Sequence, residues 1–154
     1  MIKLRPLLAN LLIPLAVGGF SALLTMDSME VYQNLNQPPL SPPGWLFPVV
    51  WTILFVLMGI AAYLVWMRDS TGRNGALFLY GIQLAMNFGW SLIFFNAQNY
   101  MLAFFWLVAL WVLILLTTIS FFKETKAAGW LMIPYLLWVA FAGYLNAGVW
   151  LLNG

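Results

Sequence analysis

Few side chains in this 154-residue chain can do chemistry, and they are of two kinds. There is no cysteine and no histidine, which excludes disulfides, thiolate nucleophiles, Ser-His triads and the imidazole or thiolate sites that hold zinc and iron. Indole and amide remain. Trp51, Trp90 and Trp138, with the amide of Asn87, stand within stretches of otherwise apolar residues. Indole rings present flat apolar faces suited to another flat apolar group. A polar group in such a stretch needs a partner on a neighbouring helix or marks a pocket. Aromatic stripes at helical spacing more commonly pack against lipid or core, so residue types alone leave pocket and packing equally open.

The elements that must position these groups follow from composition. With 64% hydrophobic and 6% charged residues, the chain has the usage of an integral membrane protein. Its length suits a single domain over 1–154. The charged residues fence off five apolar windows, roughly 6–26, 44–67, 76–97, 100–122 and 128–152, each long enough to cross the hydrocarbon core. Backbone in lipid must satisfy its own hydrogen bonds, so the expected fold is all-α, a bundle of five transmembrane helices in the cell membrane. The six basic residues, Lys3, Arg5, Arg68, Arg73, Lys123 and Lys126, precede the first window or follow the second and fourth. The positive-inside rule therefore places the N-terminus in the cytoplasm and the C-terminus outside. A net charge of +2 speaks for this orientation rather than for a nucleic-acid partner. The first window is too long for a signal peptide and shows no small-residue cleavage site, so it is expected to be retained.

Spacing then sorts faces. Gly81, Ala85 and Gly89 repeat every four residues and form a stripe along which a second helix can approach, either within the monomer or across a homodimer seam. Gln83, Asn87, Trp90 and Phe94 lie about 170° around that helix at 100° per residue. Pro48, Trp51, Phe55, Met58 and Ala62 share one face of the second window, and Pro134, Trp138, Ala142 and Leu145 one face of the fifth. At about 1.5 Å per residue, Trp51 and Trp90 lie about 10 Å deep, Asn87 about 15 Å, and Trp138 nearer the midplane. Trp45, Trp66, Trp130 and Trp150 stand at window ends, as an interfacial belt would place them. The segment from Asp27 to Pro43 is longer than a helix hairpin requires and ends in Pro38, Pro39, Pro42 and Pro43. Such a stiff loop is read as a lid over the outer opening, with Tyr32 and Leu35 set down on the bundle mouth, the alternative being a disordered connector.

Three ordered motifs carry a resemblance. The run from Pro39 to Trp66, in the order P-P-x-x-P-P-x-W-x-F-x-x-V-W, then N-F-G-W-S-L-I-F-F at 87–95 and P-Y-L-L-W-V-A-F at 134–141, resemble the tryptophan-rich sensory protein and translocator protein family, also called the peripheral benzodiazepine receptor family. The chain resembles the family's bacterial members over essentially its whole length. That resemblance implies a five-helix receptor binding protoporphyrin IX and related tetrapyrroles, and also isoquinoline carboxamide or benzodiazepine-type drugs, beneath the first loop. Carried over by motif, the ligand-binding residues would be Tyr32, Pro42, Phe47, Trp51, Phe55, Asn87, Trp90, Ser91, Trp138 and Ala142. It also implies a homodimer, which the stripe of Gly81, Ala85 and Gly89 would fit, and light-dependent porphyrin oxidation resting on Trp51 and Trp138. No cofactor is required beyond light and oxygen, and no metal is expected. Without histidine or cysteine to bind haem iron, metal-free porphyrin is the favoured form.

Two other functions fit the same residues. A carrier of tetrapyrroles or other apolar molecules is disfavoured by the lack of internal repeats and intramembrane charge. A porphyrin or stress sensor would need a partner protein for its output. The animal members' proposed cholesterol pattern is absent, with Ala147 and Leu151 at its aromatic and basic positions, which argues against sterol binding.

Overall fold

A computed structural model describes residues 2–153, and all regular structure among them is helical. Helix α1 (Leu4–Thr25) continues through a 3-10 turn, Met26–Ser28, into the short α2 (Met29–Gln33). Then come α3 (Leu46–Trp66), α4 (Arg73–Ser91) with a π-helical extension over Leu92–Asn96, α5 (Tyr100–Glu124) and α6 (Lys126–Asn153). Five of these units are long and apolar enough to cross a membrane. The expected windows fall on them within a few residues. The first loop is the exception. Asp27 and Glu30 end the apolar window but not the helix, because backbone hydrogen bonding carries on to Gln33. The irregular segment is therefore 34–45, shorter than expected.

The helices close into a ring whose order differs from that in sequence. Helix α1 packs on α3, α3 on α6, α6 on α5 and α5 on α4, while α4 returns only lightly to α1 and α3. That light closure leaves room for a cavity. At one end of the bundle, the Lys3 amide donates to the Tyr63 hydroxyl at 2.7 Å, the Ser70 hydroxyl to Glu124, and Arg73 to the carbonyls of Trp66 and Arg68. All six basic residues thus belong to that end, with Asp27 and Glu30 at the other.

Two prolines interrupt membrane helices. Pro14 cannot donate to the Asn10 carbonyl. That freed oxygen lies against Gly59 of α3, where an added Cβ would stand 2.8 Å from it and 2.9 Å from the Leu11 Cα. Both obstacles are backbone, so neither can swing aside. Gly59→Ala is expected to part α1 from α3 and lower stability by about 1–3 kcal/mol, seen as a lower Tm in detergent; an unchanged Tm would contradict this close crossing. Pro134, expected on the inner face, points outward, because the core face of α6 runs through Met132, Tyr135, Val139, Ala142 and Asn146.

Candidate functional site

The cavity lies between α1, α3, α4 and α6 at the end away from the basic residues and encloses about 470 Å³. Trp51 and Trp138 meet nearly perpendicular, with centroids 6.5 Å apart. Phe55 stacks on Trp51 at 5.6 Å, and Phe47 meets Trp138 edge to face at 6.1 Å. Across the cavity Trp90 stacks on Phe94 at 5.2 Å, and Tyr32 from α2 packs against Phe47, Phe94 and Phe95. Each such contact contributes about 0.5–1.5 kcal/mol beyond area burial. The π-helical turn adds a residue to the ladder, and its Phe94 and Phe95 meet Tyr32. Its last residue, Asn96, donates to the Leu24 carbonyl at 2.9 Å and accepts from Ser28, tying α1 to the cavity rim.

Of the residues expected to bind ligand, Tyr32, Phe47, Trp51, Phe55, Asn87, Trp90, Ser91, Trp138 and Ala142 all line this cavity. Pro42 does not. It lines an outer vestibule of about 490 Å³, between α2 and the 34–45 segment, which shares Met29, Tyr32 and Phe47 with the inner cavity. Tyr32 and Phe47, edge to face at 5.9 Å, stand between the two spaces.

Many of the polar groups are committed. Trp90 Nε1 donates to Asn146 Oδ1 at 3.0 Å, and Asn146 Nδ2 to the Tyr100 carbonyl at 2.9 Å. The hydroxyls of Ser21, Thr25, Thr52 and Ser91 donate to carbonyls one turn back in their own helices. Asn87 Nδ2 donates to the Tyr135 hydroxyl at 2.8 Å. Trp138 Nε1 is buried with no partner among the described residues; leaving a buried donor unpaired costs about 1–3 kcal/mol. The arrangement surrounds an apolar space with indole and phenyl rings.

Sequence reasoning did not single out the α1 wall of Leu15, Gly18, Ser21 and Thr25, or Tyr135 and Asn146. The last two were findable, since Tyr135, Trp138, Ala142 and Asn146 recur at i, i+3 and i+4 steps. The stripe of small residues is divided: Gly81 and Ala85 face outward, whereas Gly89 is covered by the Trp106 indole, 2.8 Å from where a Cβ would lie.

A profile of the TspO/MBR family matches residues 10–151, nearly the whole chain. The chain belongs to the TspO/MBR family. Among its relatives, the tryptophan-rich protein TspO of Chlorobaculum tepidum is 43% identical over 144 residues, covering 90% of each chain. The tryptophan-rich sensory protein of Cereibacter sphaeroides is 39% identical over 132 residues, 86% of this chain and 81% of that one. The translocator protein of Ovis aries is 33% identical over 138 residues, 86% and 82% respectively. All three motifs read from the sequence lie within the matched region. Family membership and five apolar helices make this a multi-pass membrane protein.

Proposed function

We propose that this TspO/MBR family member is a membrane receptor for tetrapyrroles, protoporphyrin IX above all, and promotes their light-dependent oxidation. The carrying observation is the perpendicular pair Trp51 and Trp138 in a cavity walled by aromatic rings on three further elements. Such walls suit a flat macrocycle by stacking on its faces and meeting its rim edge-on. The vestibule gives the polar periphery of such a ligand a place outside the apolar chamber. Drug-sized isoquinoline carboxamides and benzodiazepines, bicyclic and aromatic, suit the same chamber. The outward-facing Gly81 and Ala85 are open to a second copy of the chain, and a homodimer is the proposed assembly.

In the dark the site binds. Under light the excited macrocycle takes an electron from an adjacent indole and passes it to dioxygen; the indole radical is restored by an electron from the macrocycle, and the resulting macrocycle cation combines with superoxide, so that both atoms of one dioxygen enter the opened ring. Trp51 and Trp138 then serve as electron donors or relays rather than as acid-base groups. Illuminated protoporphyrin should lose absorbance on the order of tenfold more slowly with Trp51→Phe or Trp138→Phe than with wild type, a barrier change of about 1.4 kcal/mol. Equal decay in all three would remove the catalytic part of this reading and leave the receptor.

A further inference from the structure

We infer that Gln83 and Tyr135, set by Met58, are positioning residues that fix which end of the Asn87 amide faces the cavity, and so select ligands carrying a hydrogen-bond donor. The three side chains Met58, Gln83 and Tyr135 are fully buried at the floor of the site, and Asn87 is 3% exposed. Their hydrogen bonds run in one direction. The Met58 sulfur accepts but does not donate, and Gln83 Nε2 approaches it at 4.0 Å. The amide of Gln83 therefore turns its nitrogen to Met58 and its oxygen to Tyr135. The Tyr135 hydroxyl has one hydrogen, and it is spent on Gln83 Oε1 at 2.6 Å. Toward Asn87 the hydroxyl can only accept, so it takes Asn87 Nδ2 at 2.8 Å. The amide oxygen of Asn87 is thereby left over, on a residue that lines the cavity.

The consequence is chemical selectivity. With the hydroxyls of Ser21, Thr25, Thr52 and Ser91 donating within their own helices, the carbonyl of Asn87 is an uncommitted acceptor at the cavity floor. A flat ligand with an N–H or O–H at its edge, such as a lactam or amide N–H, satisfies it. One without leaves a desolvated oxygen unpaired, a loss a site built for a hydrogen bond does not tolerate well. This inference rests on the cavity being a ligand site, though not on the ligand being a tetrapyrrole.

Three flat tricyclic probes of one shape separate the polarities: carbazole carries an N–H, fluorenone a carbonyl, and fluorene neither. Binding is measured by calorimetry on the full chain in lipid nanodiscs, corrected with empty discs. Wild type should prefer carbazole to fluorene on the order of tenfold, the worth of one buried hydrogen bond. Tyr135→Phe frees the Asn87 amide to offer either end, so a wild-type preference for carbazole over fluorenone should fall to near unity. Gln83→Leu leaves Tyr135 only Asn87 to donate to, so the amide turns over. The carbazole preference should then vanish while fluorenone gains over fluorene relative to wild type. Either variant alone suffices should the other fail to assemble. Equal binding of carbazole and fluorene to wild type, no binding of any probe, or a preference for carbazole over fluorenone that survives in the variants would each overturn the inference. Dark quenching of tryptophan fluorescence by protoporphyrin IX, run on the same samples, reports the tetrapyrrole reading separately: saturable quenching with no carbazole preference would sink this inference alone.

Discussion

Replacing Gly18 with valine should lower the affinity for protoporphyrin IX by roughly tenfold to a hundredfold, corresponding to the 1–3 kcal/mol typical of overpacking. Gly18 has no side chain because Phe55 occupies that space: an added Cβ would lie 2.6 and 2.7 Å from two atoms of its ring. Phe55 is buried and stacked on Trp51, so pushing it moves the indole on which the proposed chemistry depends. The alternative is for α1 to retreat. Its lower half is held by the close crossing at Gly59, and its upper end by Asn96 bonded to Leu24 and Ser28. Retreat therefore breaks contacts at both ends and opens the cavity wall to lipid. Either response spoils the site. Gly18→Ala should show a smaller loss of the same sign. Gly75→Ala, where a Cβ meets nothing within 4 Å, controls for generic glycine replacement in a helix. Dark fluorescence quenching reads the affinity and thermal unfolding the stability; unchanged affinity in Gly18→Val would show that the α1 wall is not part of the site.

The α1 wall also marks where the sequence ceased to be informative. The spans were legible because charges fence apolar windows of membrane length, and Trp51, Asn87, Trp90 and Trp138 because helical spacing places each toward one side of its span. Helix α1 is apolar nearly all round and buries little of its surface, so no periodicity distinguishes its cavity face from its lipid face. Pro134 shows the same limit on α6. It keeps step with Trp138, yet the helix is turned so that Tyr135 takes the core. Which side faces inward depends on the neighbouring helices, and the order of the ring is a tertiary fact. The π-helical turn at Leu92–Asn96 has no residue-type signature, although it carries two of the aromatic rings around Tyr32. The stripe of Gly81, Ala85 and Gly89 is periodic, but what covers each position depends on a bulky residue of another helix, Trp106. Periodicity identifies a face; only packing identifies its occupant.

Release, unlike affinity at the α1 wall, should turn on the outer segment. The 34–45 segment is docked on α6. Asn153 binds both backbone groups of Asn36, accepting from its N–H at 3.1 Å and donating to its carbonyl at 2.7 Å. Tyr144 donates to the Pro39 carbonyl at 2.6 Å, and the Pro38 ring fills the notch left by Gly148, where any Cβ would collide with it. Leu40 follows with φ 71°, a left-handed conformation that a branched side chain adopts only when its surroundings impose it. If this strap covers the vestibule during binding, it must lift for a tetrapyrrole to leave that way. Asn153→Ala removes two hydrogen bonds worth about 0.5–1.5 kcal/mol each, and dissociation should accelerate by roughly tenfold to a hundredfold. Gly148→Val should do the same by evicting Pro38. Association should change far less, since docking mutations act mainly on the off-rate. Stopped-flow displacement of bound protoporphyrin in the dark measures both rates. Unchanged dissociation in both variants would mean that ligand leaves by another route, and the light closure of α4 on α1 would then be the place to look for it.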